Sequence, residues 1–402
     1  MEKKARLKII ICLLLFLFVC AGLLVSLAFS AKIEKRFGLT SEPTGSWDFR
    51  YDVIDVGQGA ASLLTFDNGE HMLVDAGTNK SEKQLVAYLK NLNISVIDYF
   101  LLTHSDNDHT GGADEIYNNF EIKKTYRPFI LAENAEYENV DPLEFCKTSY
   151  DMMIADTKDW AKCVELMYSE TYTENGIEKL SEVEIVSDKT FLISGTVGVR
   201  CFWPTSVGEK IEEQIPGKAK TVGYGTEKCS SYNNYSPCMV VTYYNKTIVI
   251  TGDADQTTER DVIEILSAAG KLHYIQNVDV YVAGHHGSNT SSCKDFLEIL
   301  LPSYVVVQCG TSTTHPHEKF LARLDDVWNA GMKSGVLYRT DKNSNIIFMF
   351  NRQSDNKASI SSQYSGTATK HEVRWWQIVV CAISVSAALL IVPIIPRKKR
   401  RR

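Results

Sequence analysis

No two of the ten cysteines stand in Cys-x-x-Cys spacing, which excludes the close thiolate clusters of structural zinc sites. Cys12, Cys20 and Cys381 fall in long apolar runs, and the seven that remain are an odd number that cannot all pair within one chain. Cys229 with Cys238 and Cys146 with Cys163 are near enough in sequence to suggest bridges. Basic charge is also scarce. Residues 31–373 hold 32 basic against 48 acidic side chains, and residues 131–190 alone hold 5 against 15. This balance argues against a continuous basic groove that tracks a polyanion. Charge of either sign is missing altogether from residues 9–29 and 375–395, each long enough to cross a bilayer at ~20 residues.

Those two runs set an expected topology. The first follows Lys3, Lys4, Arg6 and Lys8; the second begins at Trp375 and Trp376 and leads into six basic residues at 397–402. Positive charge favours the cytoplasmic side, and tryptophan the membrane interface. The chain therefore reads as a two-pass protein of the cell membrane with both termini cytoplasmic. Residues 1–30 form a basic tip and anchor, 45–351 an extracytoplasmic domain, 352–372 a flexible linker, 373–396 a second span and 397–402 a basic tail. A cleaved signal peptide ending near Ala28-Phe29-Ser30 is the rival for the first run, whose 21 residues exceed the ~7–15 of a signal core. The linker is assigned on its Ser, Asn, Gln, Lys and Thr content.

The densest chemistry is in Thr103-His104-Ser105-Asp106-Asn107-Asp108-His109-Thr110-Gly111-Gly112. Residues 96–103 before it are β-branched and aromatic and predict a buried strand, so the cluster falls on the turn leaving that strand. Two imidazoles and two carboxylates this close repel or desolvate one another unless a cation sits among them. The mixed nitrogen and oxygen set suits zinc or manganese. Two later apolar strands end in the same way, one at Thr251-Gly252-Asp253 and one at Gly284-His285-His286-Gly287-Ser288.

Around these motifs, 48–56 predicts a strand, 60–66 and 71–75 a hairpin, and 81–92 a helix with Leu85, Val86, Leu89 and Leu92 on one face. Apolar runs follow at 183–186, 197–202, 239–244, 247–250, 278–283, 304–308, 336–339 and 346–350, with helical spacing at 257–269, 293–301 and 318–330. Strand-rich halves with interspersed helices imply an α/β architecture of two packed sheets covered outside by helices. The acidic stretch 131–190 reads as an insertion, with some helix at 142–166, serving either as surface decoration or as a lid.

In this order the landmarks resemble the metallo-β-lactamase superfamily, and within it the extracytoplasmic domain of the ComEC competence proteins. The resemblance spans about 48–350 outside the insertion. It rests on Asp55-Val56-Gly57-Gln58-Gly59, Leu73-Val74-Asp75-Ala76-Gly77, the His104–His109 cluster, Asn233-Asn234-Tyr235-Ser236, Thr251-Gly252-Asp253, His285-His286-Gly287-Ser288 and His315-Pro316-His317. It implies an αββα sandwich with two divalent metal ions at one edge. His104 and Asp106 would hold the first, and Asp108, His109 and His285 the second, with Asp253 bridging; His286 can exchange with His285 in this assignment. Asp106 stands where most of the superfamily has histidine, which leaves manganese as plausible as zinc. The first metal is one ligand short, and water, Asn234 or Ser236 can fill the place. Asp75 and Asp55 are expected to shape loops and support ligands. His315 or His317 is expected to hold a substrate oxygen or protonate a leaving group, unless the segment merely opens a helix. His71, His273 and His371 are assigned no chemistry.

The reaction class that follows is hydrolysis by water that two cations activate, with Asp108, Asp253 and His315 as its catalytic residues. For the ComEC-like branch the implied substrate is the phosphodiester of DNA, which makes an exported nuclease the leading expectation. The acidic balance and Val282, at the place of the family's lysine, weigh against it. Two spans cannot form the many-span channel of a competence protein, so DNA uptake is not inferred. A metallohydrolase of a small phosphoester, lactone or envelope component is the alternative enzyme. A membrane-tethered binding or sensor protein with a degenerate site is the non-enzymatic one.

Overall fold

The structure is a computed structural model that describes residues 45–128, 158–203, 232–311 and 313–364. Within them the chain forms β1 (Phe49–Val53), β2 (Ser62–Thr65), β3 (His71–Val74), β4 (Val96–Leu101), β5 (Glu121–Arg127), β6 (Thr171–Glu174), β7 (Ile177–Leu180) and β8 (Glu182–Ile185). The second half adds β9 (Phe191–Ser194), β10 (Val197–Cys201), β11 (Met239–Tyr243), β12 (Lys246–Ile250), β13 (Val280–Val282), β14 (Tyr304–Val307), β15 (Val336–Arg339), β16 (Ile346–Arg352) and β17 (Ala358–Tyr364). Eight of these strands make one sheet in the order β17, β16, β1, β2, β3, β4, β5, β8. Seven make a second in the order β15, β14, β13, β12, β11, β10, β9, and β6 pairs with β7 as a separate hairpin.

The helices are α1 (Glu82–Asn91), α2 (Asn107–Thr110), α3 (Ala113–Asn119), α4 (Lys158–Ser169), α5 (Gln256–Ala268), α6 (Lys294–Leu300), α7 (Glu318–Ala330) and α8 (Thr340–Asn343). Side-chain alternation along the strands builds three apolar layers. Met239, Val241 and Tyr243 of β11 enter the core between the sheets with Phe49, Tyr51 and Val53 of β1. Val240 points the other way, into the layer where Val262 of α5, Phe296 of α6 and Phe320 of α7 cover the second sheet. Leu85 and Leu89 of α1, Ile116 of α3 and Trp160 of α4 cover the first sheet. The expected sandwich of helices around two sheets is thus the observed one, and each of the eight apolar runs named between 183 and 350 overlaps a strand.

Strands β3, β4, β5 and β8 run parallel, as do β12, β13, β14 and β15. Parallel strands bring their carboxyl ends to one edge of the sheet, which is where open α/β sheets gather functional residues. The loops after β3, β4, β12, β13 and β14 carry Asp75, the His104–His109 cluster, Asp253, the paired histidines and Gln308 respectively.

Several expectations are corrected. The insertion at 131–190 is not one unit: α4 seals the first sheet with buried Trp160, Cys163, Val164 and Met167, and β8 is that sheet's edge strand. The apolar run expected at 183–186 is β8, and the acidic composition hid only its place in the sheet, where Glu182 and Glu184 lie on an outer strand beside Lys124. Residues 129–157 lie outside the described residues. Part of the supposed linker at 352–372 is β17, paired with β16 from Arg352↔Ala358 to Ile346↔Tyr364. Its polar sequence suits an edge strand. Cys163 and Cys238 are buried free thiols, so the two suggested bridges do not form. Among the described residues no helix is long and apolar enough to cross a membrane; both expected spans lie outside them.

Candidate metal centre

After β4 the chain passes through Thr103 and His104 into α2, whose N-cap is Asp106. Asp106 makes no side-chain capping bond, and its Oδ2 lies 3.6 Å from His104 Nε2. Gly111 and Gly112 are needed for close approach rather than for a special turn. A Cβ on Gly111 would lie 2.6 Å from the Asn79 nitrogen, and one on Gly112 would lie 2.5 Å from the Ala76 carbonyl oxygen. Asp108 is fixed through its backbone, whose carbonyl accepts from the Ala60 N–H at 2.9 Å. Gly59 leaves the room for this, because a Cβ there would sit 2.5 Å from the same oxygen.

From the second sheet, Asp253 reaches in behind Gly252, which takes φ +50° with Ser236 and Thr103 packed where a Cβ would be. The Ser236 hydroxyl accepts from the Asp253 N–H at 3.1 Å. His285 and His286 lie in a turn at φ 48° and 54°. Left-handed backbone is costly for such residues, and here it points the two rings in different directions.

His109 Nε2 lies 3.1 Å from Asp253 Oδ1, and His286 Nε2 lies 3.1 Å from Asp108 Oδ2. The two Nε2 atoms are 3.4 Å apart. His104 Nε2 is 4.0 Å and His286 Nε2 3.7 Å from Asp253 Oδ2. Two groups of metal-ligand type result, His104 with His109 and Asp253, and Asp108 with His109 and His286.

The other nitrogen of each ring is already committed. His109 Nδ1 donates to Asp75 Oδ2 at 2.7 Å, and His286 Nδ1 donates to the Gln308 carbonyl at 2.7 Å. The Thr103 hydroxyl gives its one proton to the Asp75 carboxylate, at 2.9 and 3.1 Å. It can therefore only accept from His104 Nδ1, 3.1 Å away. All three rings thus present Nε2 inward, and that of His104 is buried without a hydrogen-bond partner. A buried, unpartnered nitrogen beside two carboxylates is a fit for a divalent cation held by nitrogen and oxygen.

Burial opposes ionisation at this centre, yet mutual attraction prevails. Against burial, Asp253 and Asp75 raise His109 well above the usual histidine range. Asp253 and Asp108 raise His286. The same contacts hold Asp108 and Asp253 below the usual carboxylate range. His315 behaves oppositely: burial and the imidazoles of His317, His286 and His285 lower it to about 4.

The expected residues are therefore sorted as follows. His104, Asp108, His109 and Asp253 converge, with Asp106 beside them. His286 occupies the place expected of His285; His285 is left partly exposed with Nε2 3.6 Å from Asp253 Oδ2. His315 stands over the paired histidines, its ring 6.1 Å from His285 and 6.2 Å from His286. His317 Nδ1 accepts from the Asn289 N–H at 2.9 Å, and the residue stands at the N-cap of α7 without a side-chain capping bond. Asn234 turns its amide to Asp255, Nδ2 donating to Oδ2 at 3.0 Å and Oδ1 accepting from the Asp255 N–H at 3.2 Å. Ser236 is likewise occupied, between Asp253 and His104. Asp55 binds its own loop at Gly57. Gln308 was not singled out from sequence, although a polar residue closing the apolar run of β14 was a visible signal.

Two layers of helix around two sheets, with ligands gathered from loops of both, define the class. Residues 54–141 match the metallo-beta-lactamase superfamily model, and the chain carries a domain of that superfamily. Its curated relatives are ComEC-type competence proteins, which it resembles over most of its own length. ComE operon protein 3 of Bacillus subtilis is 23% identical over 84% of this chain and 39% of its own. Recombination protein 2 of Haemophilus influenzae is 24% identical over 76% and 29%, and competence protein ComA of Neisseria gonorrhoeae 30% over 75% and 32%. The chain thus spans less than two fifths of the length of these relatives.

Proposed function

We propose that this chain is a membrane-anchored, metal-dependent phosphodiesterase whose site faces the outside of the cell. One observation carries the reading: three imidazoles with committed Nδ1 atoms turn Nε2 into a space shared with Asp108 and Asp253. His104, Asp106 and Asp253 would hold one divalent cation, zinc or manganese, and Asp108, His109 and His286 the other, with Asp253 reaching both. When bound, the pair supplies Lewis acidity and lowers the pKa of water towards neutrality. Asp75 and the Gln308 carbonyl keep His109 and His286 in the tautomer that ligation needs. His315, neutral near pH 7, donates a hydrogen bond to a substrate oxygen instead of delivering a proton, and partly exposed His285 flanks the same position.

DNA is the substrate proposed from the resemblance to competence proteins. The acidic balance of the exported part favours a second reading, in which the substrate is a small phosphoester, lactone or envelope component. The full chain, stripped with chelator and reloaded with zinc or manganese, is to be assayed on linear DNA, a chromogenic phosphodiester and a lactone. DNA cleavage that falls steeply with salt supports the first reading. Turnover of the small diester without DNA cleavage supports the second, and two bound metals with no turnover of any substrate sinks both. Anchoring through residues 9–29 and 375–395 predicts that alkaline extraction leaves the chain in the membrane fraction; its release would overturn the topology.

A further inference from the structure

The two halves of the centre come from different sheets, and two glutamines join them. Gln308, only 6% exposed, leaves β14 with its carbonyl on His286 Nδ1. Its side-chain Nε2 crosses to the first sheet and donates to the Ala61 carbonyl at 2.9 Å. In the reverse direction, the Gly310 N–H donates to Gln58 Oε1 at 3.1 Å. Only glycine fits at 310, because a Cβ would lie 2.7 Å from the Gln58 nitrogen. The neighbouring Ala60 N–H holds the Asp108 carbonyl. Gln308 also lines, with Ala60, Asp75, His109, Asp253 and His286, a small cavity beneath the centre.

The orientation of each amide is fixed by its partner: a backbone carbonyl demands a donor from Gln308, and a backbone N–H demands an acceptor from Gln58. We infer that this glutamine clasp sets the separation between Asp108 and His286, so that Gln58 and Gln308 are positioning residues for the second metal. The inference rests on the metal-dependent reading above. It goes beyond that reading in requiring a chain of contacts from Asp108 through Ala60, Ala61 and Gln308 to His286.

The opposite polarities give the test. Gln58→Glu keeps the acceptor, whereas Gln308→Glu replaces the donor by a carboxylate facing a carbonyl. Gln308→Met removes the donor without adding charge, and Ala61 still accepts from the Ile54 N–H, which guards against a folding failure. Zinc titration of the metal-free full chain, with the visible spectrum of the cobalt form as a second readout, measures each site. Expected is loss of about 10- to 100-fold in affinity at the second site in Gln308→Met and Gln308→Glu. Gln58→Glu should keep both sites and the parental cobalt spectrum. Parental affinity in Gln308→Met overturns the clasp alone, as does equal weakening by Gln58→Glu and Gln308→Glu. Absence of metal from the unsubstituted chain overturns the clasp together with the metal-dependent reading.

Discussion

His109 Nε2 and His286 Nε2 face each other at 3.4 Å across the seam between the sheets, each with its Nδ1 proton given to a different acceptor. When both rings are neutral, two lone pairs oppose each other in a buried space beside two carboxylates. That arrangement is unfavourable without a proton or a cation between them. In a metal-free protein the rings instead take protons and donate to Asp253 and Asp108, so metal binding must displace protons from the ligands.

The neighbouring histidines are expected to separate cleanly. His286→Ala removes a nitrogen from the second group and should reduce bound metal from two per chain to one. His285→Ala should keep both metals while lowering kcat about 10- to 100-fold, through loss of a substrate-facing ring. Elemental analysis beside kinetics on a chromogenic phosphodiester decides. Loss of metal in His285→Ala, with retention in His286→Ala, would restore the assignment made from sequence.

Asp75 is expected to matter without touching metal. Its carboxylate accepts from the Thr103 N–H, the Thr103 hydroxyl and His109 Nδ1, and an amide in Asp75→Asn would turn a donor toward one of these donors. Zinc affinity should fall about 10- to 100-fold, and the metal-free protein should lose about 1–3 kcal/mol to denaturant. Unchanged zinc affinity would show that His109 needs no such support.

How much of this was legible beforehand follows from the range of each interaction. The ligand-bearing strand ends were readable because β4, β12 and β13 are buried on both faces and end abruptly in polar residues. The choice between His285 and His286 was not readable: it depends on left-handed backbone at both residues, which nothing in the dipeptide announces. Strand β17 was missed because an edge strand needs few apolar residues; α4 overlaps the helix expected at 142–166, but local pattern did not show that its buried side of Trp160, Cys163, Val164 and Met167 packs on the first sheet. Bonds such as Gln308 to Ala61 join residues far apart in sequence, where local pattern is silent.

Glu259 supplies a pH dependence of stability. Burial, only partly offset by the N–H groups of Cys293 and Ser292, raises its carboxyl to about 7. The folded chain therefore keeps a proton that the unfolded chain loses above its ordinary value of about 4.5. Stability contributed here falls as pH rises from about 4.5 to 7 and is level beyond, a change of about 3 kcal/mol. Glu259→Gln should remove that slope, so that its denaturation midpoint gains on the parent's as pH rises through this window. Parallel curves for the two proteins would refute the assignment.

Gly252→Ala tests whether the Asp253 position depends on backbone that only glycine tolerates. The residue has φ +50°, and an added methyl would lie 2.8 Å from the Ser236 hydroxyl and 2.9 Å from Thr103 Cβ. Both neighbours are bound to ligand histidines or their supports, Ser236 to His104 and Asp253, Thr103 to Asp75 and His104. Relief of the clash must therefore move either the Asp253 carboxylate or the Asp75 network, since the sheet beneath is closely packed. The expected result is a loss of about 1–3 kcal/mol in the metal-free protein with weakened binding of both metals. The joint loss tests the proposed bridge: if Asp253 reaches both metals, displacing its carboxylate weakens both sites, and a variant that kept one site at parental affinity would show that Asp253 does not bridge.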